Sequence, residues 1–242
     1  MKRFNQVLVF ILNIFLISTS HAAVKLTGTR IIFNEGETDK TIYFQNSDEK
    51  PSLVQVWFDK GDEKSTLETG ITAFVANPQI FRLDAGTTQS VRLKFTESAS
   101  VPQDIESLYY LNFMEFPMTK ESQLENNQLA FVFKNRIKIL YRPKNLQGNI
   151  SESVNNLVFK LEKNSGKNYL NIENPSNFYV NLNDLIVEDG NKKVQFNIKP
   201  IPPKSSIKLE SNTNINLSNA SQIKFSIVND FGAVVQHQAK LN

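Results

Sequence analysis

Cysteine is absent from this 242-residue chain, and beyond the first twenty-two residues it holds one histidine, His237. Those two absences remove the usual Ser–His and Cys–His catalytic pairs and nearly every zinc or copper site. No glycine-rich phosphate loop, nucleophile elbow or calcium loop is present either. Asp104 and Glu106 could serve as paired carboxylates on a glycoside, but two acids at that spacing arise by chance in most proteins. The sequence therefore predicts no catalytic residue, no metal and no cofactor, and function must reside in a surface that binds. Past the amino terminus no window approaches the ~20 consecutive apolar residues of a spanning helix. Lys and Arg are interspersed with Asp and Glu rather than gathered in blocks, which argues against a nucleic-acid partner.

The amino terminus is of a different composition. Lys2 and Arg3 precede an apolar run from Val7 to Ile17, followed by the small-residue stretch Ser18–Ala23. This pattern predicts a secretory signal peptide over residues 1–22, cleaved after Ala22, and a mature chain that is soluble after export. Loss of Lys2 and Arg3 from the 27 Lys and Arg leaves the cations nearly balanced against 24 Asp and Glu. In an oxidising compartment a chain without cysteine must rest on its core alone.

From Val24 onward, apolar and polar residues alternate over short runs separated by turn chemistry, the pattern of an all-β sandwich. Ile42 and Phe44 precede Asn46-Ser47-Asp48; Val54, Val56 and Phe58 precede Lys60-Gly61-Asp62; Val91, Leu93 and Phe95 follow Asp84-Ala85-Gly86. Leu108 to Phe116 is more continuously apolar, as expected of a central strand covered on both faces. No window has a convincing helical period. A second series of strand-like runs begins after Pro143, and Lys144–Gly148 is the best linker between the two. The expected division is an amino-terminal domain over residues 23–143 and a carboxy-terminal one over 144–242, both normal sizes for an immunoglobulin-like sandwich.

The segment from Leu129 to Arg142 does not read as a quiet surface. Leu129, Phe131, Phe133, Ile137, Ile139 and Tyr141 share one parity, interrupted by Asn135, and Lys134, Arg136, Lys138 and Arg142 share the other. Period alone favours a half-buried strand whose second face meets water. Its position, between the polar segment Thr119–Gln128 and the linker, also suits a sheet edge to which another chain can add a strand.

The ordered motifs Thr29–Phe33, Asn77–Gly86, Pro102–Tyr109, Arg136–Pro143, Ile172–Ser176 and Asn229–Gly232 resemble those of the PapD-like periplasmic chaperones of the chaperone–usher pilus pathway. The resemblance runs over essentially the whole mature length. It implies two immunoglobulin-like sandwiches set as a boomerang, in the periplasm, binding pilus subunits that lack a strand and delivering them to an outer-membrane usher. Arg30 and Lys138 match the residues that hold the subunit's carboxy-terminal carboxylate. Leu129, Phe131 and Phe133 match the donor-strand residues that complete the subunit's sandwich. Glu106, Arg142 and Asp230 match an interdomain charge network. An unloaded donor strand is also open to self-association with a second copy. The modest length of Met118–Gln128 resembles the members that build rod-like or adhesive pili. A different reading of the same pattern is a secreted adhesive or structural module of tandem sandwiches that binds a surface ligand directly, and fold alone does not separate the two.

Overall fold

The computed structural model describes residues 24–70, 73–96, 101–118, 132–164, 167–211, 217–218 and 221–241. The expected signal peptide and the donor residues Leu129 and Phe131 lie outside these residues. The first half comprises β1 (Val24–Leu26), β2 (Arg30–Asn34), β3 (Lys40–Asn46), β4 (Ser52–Asp59), β5 (Phe74–Asn77), β6 (Ile80–Leu83), β7 (Thr88–Phe95), β8 (Ser107–Pro117) and β9 (Phe133–Arg142). They form a four-stranded sheet in the order β1-β3-β7-β5 and a five-stranded sheet in the order β2-β9-β8-β4-β6.

The period-two residues of both sheets turn inward and meet. Ile42, Phe44, Val91 and Leu93 from the first sheet join Val54, Val56, Phe58, Leu111, Phe113 and Ile139 from the second in one core. Phe44 packs edge-on against Phe113 with ring centroids 5.1 Å apart, and Phe33 does the same against Phe74 at 5.5 Å. Asn46 closes the turn after β3 by accepting from the Asp48 amide at 2.9 Å, as an Asx turn does. Gly86 takes the positive φ of +69° that the turn before β7 requires.

The second half follows the helix α1 (Ile150–Asn155) with β10 (Val158–Asn164), β11 (Lys167–Asn174), β12 (Leu182–Asp189), β13 (Lys192–Gln195), β14 (Ser205–Glu210), β15 (Gln222–Val228) and β16 (Val234–Lys240). The sheets are β10-β11-β14 and β13-β12-β15-β16. Leu170, Ile172, Leu209, Leu185, Val187, Ile223 and Phe225 are among the residues of a separate core. One short helix is compatible with the expected all-β class. It is six residues long and buries only Ser153 and Val154, too short a span for a 3.6-residue period to register. Its start is fixed by Asn149, whose side chain accepts from the Glu152 amide at 2.9 Å. Among the described residues no helix is long and apolar enough to cross a membrane.

Candidate functional site

β9 spans Phe133–Arg142, and the earlier part of the strand expected from Leu129, residues 129–131, lies outside the described residues. β8 lines one side of it from Phe133 to Tyr141. On the other side β2 runs parallel to it, but only from Lys138 to Arg142. Phe133 to Ile137 therefore have a neighbour on one side only among the described residues. This leaves a stretch of backbone donors and acceptors open to a further strand. Phe133 has the same parity as the buried Ile139 and Tyr141, yet is 67% exposed. Its apolar surface therefore meets solvent among the described residues.

At the inner end of this open stretch, Arg30 and Lys138 are register partners in the parallel pairing of β2 with β9. Arg30 Nη1 donates to the Val228 carbonyl at 2.6 Å, while its buried Nε lacks an acceptor among the described residues. Lys138 Nζ has no hydrogen bond or ion pair within the same residues. Burial, and then the cationic charges of Arg30 and Arg136, hold the Lys138 ammonium below its ordinary range. Burial also lowers the Arg30 guanidinium, against the pull of Asp230 and Glu106. Two converging, partly desolvated cations with unused donors are suited to an anion, and the planar guanidinium beside a point-like ammonium suits a carboxylate in particular.

Behind this pair, Arg142 joins the two halves. Its Nε donates to Glu106 Oε1 at 2.8 Å, and Nη1 and Nη2 donate to Asp230 Oδ2 and Oδ1 at 2.8 and 2.7 Å. Glu106 is fully buried at its side chain. Its second oxygen accepts from the Tyr179 amide at 2.8 Å, and its own amide donates to the Asn177 carbonyl at 2.9 Å. Burial pushes the Glu106 carboxyl above the usual carboxylate range, opposed by Arg142 and by the Tyr179 amide. Burial also disfavours the Arg142 charge, but the hydrogen bonds and fields of Asp230 and Glu106 outweigh it and hold the guanidinium above its ordinary value. The proton therefore stays on Arg142, which also lies 5.2 Å over the Phe178 ring.

Sequence reasoning missed the partners supplied by backbone, namely the Val228 carbonyl and the Tyr179 amide, because nothing in a side-chain pattern signals them. It also missed Asp59, 2% exposed and bound to Arg136. The one signal was an acid placed two residues after the chain's single tryptophan, Trp57. His237 is half-buried and stacked on Phe225 with ring centroids 5.4 Å apart.

Two sandwiches joined by a buried charge network, with a cation pair that has no ion-pair partner among the described residues at the end of an open strand edge, define an all-β protein of two domains. Residues 23–147 match the family described as pili and flagellar-assembly chaperone, PapD N-terminal domain, and residues 152–239 match pili assembly chaperone PapD, C-terminal domain. The chain belongs to this family of pilus-assembly chaperones, and its two domains are immunoglobulin-like sandwiches. The probable fimbrial chaperone YadV of Escherichia coli (strain K12) is 32% identical over 226 residues, covering 93% of this chain and 92% of YadV. The crystal structure of YadV superimposes with a TM-score of 0.77 at 30% identity, over 90% of this chain and 100% of that one. A chain of the Salmonella enterica SafA pilin–SafB chaperone complex matches with a TM-score of 0.73 at 25% identity, over 93% of this chain and 99% of its own length.

Proposed function

We propose that this protein is a periplasmic chaperone that captures strand-deficient pilus subunits by donor-strand complementation and delivers them to an outer-membrane usher. The observation that carries the reading is the open edge of β9 ending at Arg30 and Lys138, two cations with no ion-pair partner among the described residues. A subunit's last strand would lie along Phe133–Ile137 in the row that β2 occupies further on, its terminal carboxylate held by the cation pair. Leu129, Phe131 and Phe133 would then enter the subunit's groove. Burying three such side chains contributes about 1.5–3 kcal/mol each before ordering costs. The SafA–SafB complex, in which a pilin is bound to a chaperone, supports a pilin as the partner.

In the same reading, residues 23–143 form the subunit-binding domain, residues 144–242 form the second domain, and Glu106, Arg142 and Asp230 hold the angle between them. The two separate cores and the Arg142 bridge support that division. A secreted adhesive module has no use for a carboxylate anchor beside an apolar donor strand.

The test is recovery of subunits from the periplasm by tagged Arg30→Ala and Lys138→Ala chains. Both variants are expected to be exported and folded yet to recover no subunit. Undiminished recovery by both would overturn the proposal.

A further inference from the structure

Lys134, Arg136 and Lys138 alternate along one face of β9, but the structure treats them differently. Arg136 Nη2 donates to Asp59 Oδ1 at 2.5 Å, Nη1 lies 3.5 Å from the exposed Glu63 carboxylate, the buried Nε has no acceptor among the described residues, and the guanidinium lies 3.7 Å over the Tyr110 ring. The Asp59 carboxylate also accepts from Asn112 Nδ2 at 2.6 Å, from the Gly61 amide at 2.7 Å and from Ser65 Oγ at 3.2 Å. Lys134 Nζ donates to the Glu63 and Ser65 carbonyls, each at 2.8 Å, and sits 5.1 Å over the Trp57 ring. The two cations beside the open edge are thus engaged inside the molecule. Lys138, two residues further on, is not.

This inequality bears on how a second strand is aligned. A strand that slips by one residue turns its apolar side chains to the wrong face, whereas one that slips by two keeps every side chain on its own face. Apolar patterning therefore opposes the two-residue slip only through the fit of individual pockets. A carboxylate slipped by two residues would arrive at Arg136 instead of Lys138.

We propose that Asp59 determines the register of the captured strand: by neutralising Arg136, it leaves Arg30 and Lys138 as the one place on the described length of β9 where a terminal carboxylate is held. The inference rests on the donor-strand reading above. Asp59 touches no partner in this scheme. It acts through Arg136, from the face of the sheet covered by the segment that follows β4.

The absence of cysteine from the chain gives a direct test, because an engineered thiol has no competitor. An Asn135→Cys chain is mixed with synthetic peptides of alternating valine and serine ending in a free α-carboxylate, each with one cysteine at a successive position activated as a thionitrobenzoate mixed disulfide, so that attack by the engineered thiolate forms the cross-link and releases thionitrobenzoate. Disulfide products are mapped by mass spectrometry. The parent is expected to cross-link at one peptide position. With Asp59→Asn added, a second product is expected two residues nearer the peptide's end, and Asp59→Asn with Arg136→Gln returns the pattern to one position. Lys138→Gln with Asp59 intact is expected to lose the original product without gaining the shifted one, a test that does not require the Asp59 variant to fold. A single unshifted product in the Asp59→Asn chain, or a two-residue shift in the Lys138→Gln chain, would overturn the proposal. Failure of the parent to cross-link at any position would instead remove the donor-strand reading, and this inference with it.

Discussion

Arg30 and Lys138 stand opposite one another where the parallel pairing of β2 with β9 begins, and no carboxylate among the described residues neutralises Lys138. Like charges brought together in a partly desolvated place destabilise the free protein. The arrangement is understandable when an anion from outside completes it.

Affinity for a carboxylate-ended strand should depend on pH through Lys138. Burial and its cationic neighbours lower this group in the free protein, and a bound carboxylate raises it. Binding is therefore full while the free-state ammonium is protonated and is lost as pH rises through the lowered value, below the ordinary lysine range. Fluorescence anisotropy of a labelled peptide between about pH 7 and about pH 10 is expected to show weakening for the parent. A Lys138→Arg chain, whose guanidinium does not titrate there, is expected to show none.

Phe133→Asp is expected to change the unfolding free energy by no more than ~0.5 kcal/mol, because the side chain it replaces is already in solvent. Subunit recovery should fall sharply in the same chain. Ile139→Ala, of the same parity but fully buried, is expected to cost about 2–5 kcal/mol. Equal unfolding midpoints for these two variants would refute the placement of Phe133 outside the core.

Arg142→Ala should destabilise the chain by about 3–5 kcal/mol, since it leaves the Glu106 carboxylate buried without its cation. The loss should depend on pH. Without Arg142 the Glu106 carboxyl in the folded state is raised further above its unfolded value, so folding takes up a proton. Stability of the variant falls as pH rises from the unfolded carboxyl range through the raised value. Denaturant midpoints at about pH 5 and about pH 8 should accordingly differ more for Arg142→Ala than for the parent, and adding Glu106→Gln should abolish the difference.

Gly232→Ala should loosen the contact between the halves. Gly232 has a φ of +80°, and a Cβ there would lie 2.4 Å from Thr29 Oγ1, beside the Arg30 site. The backbone strain alone is worth about 1–3 kcal/mol. Thr29→Ala in the same chain is expected to restore the part of the loss that is steric and to leave the part due to φ, which a double-mutant cycle on thermal unfolding separates.

Much of the fold was legible because a strand announces itself through period two and its turns through their residues. Val54, Val56, Phe58, Val91 and Leu93 were readable as core from alternation alone, and all are buried. The face of β9 that carries Lys134, Arg136 and Lys138 was equally readable. The resemblance to the chaperone family supplied the choice of Arg30 and Lys138 as a pair, which no local pattern links.

What periodicity could not decide was where a facing layer ends. Phe133 and Ile139 obey the same alternation, yet one is exposed and the other buried, because burial depends on what the rest of the chain packs over each position. Nor could it distinguish three alternating cations from one another. Arg136 is paired with an acid 77 residues away in the chain and Arg142 with one 88 residues away, while Lys138 has no ion-pair partner among the described residues. The amino-acid sequence by itself determined the strands, their faces and the positions of the charges. Which charges are satisfied and which await a partner was decided only by tertiary structure, since charges far apart along the chain neutralise one another only where folding brings them within a few ångströms.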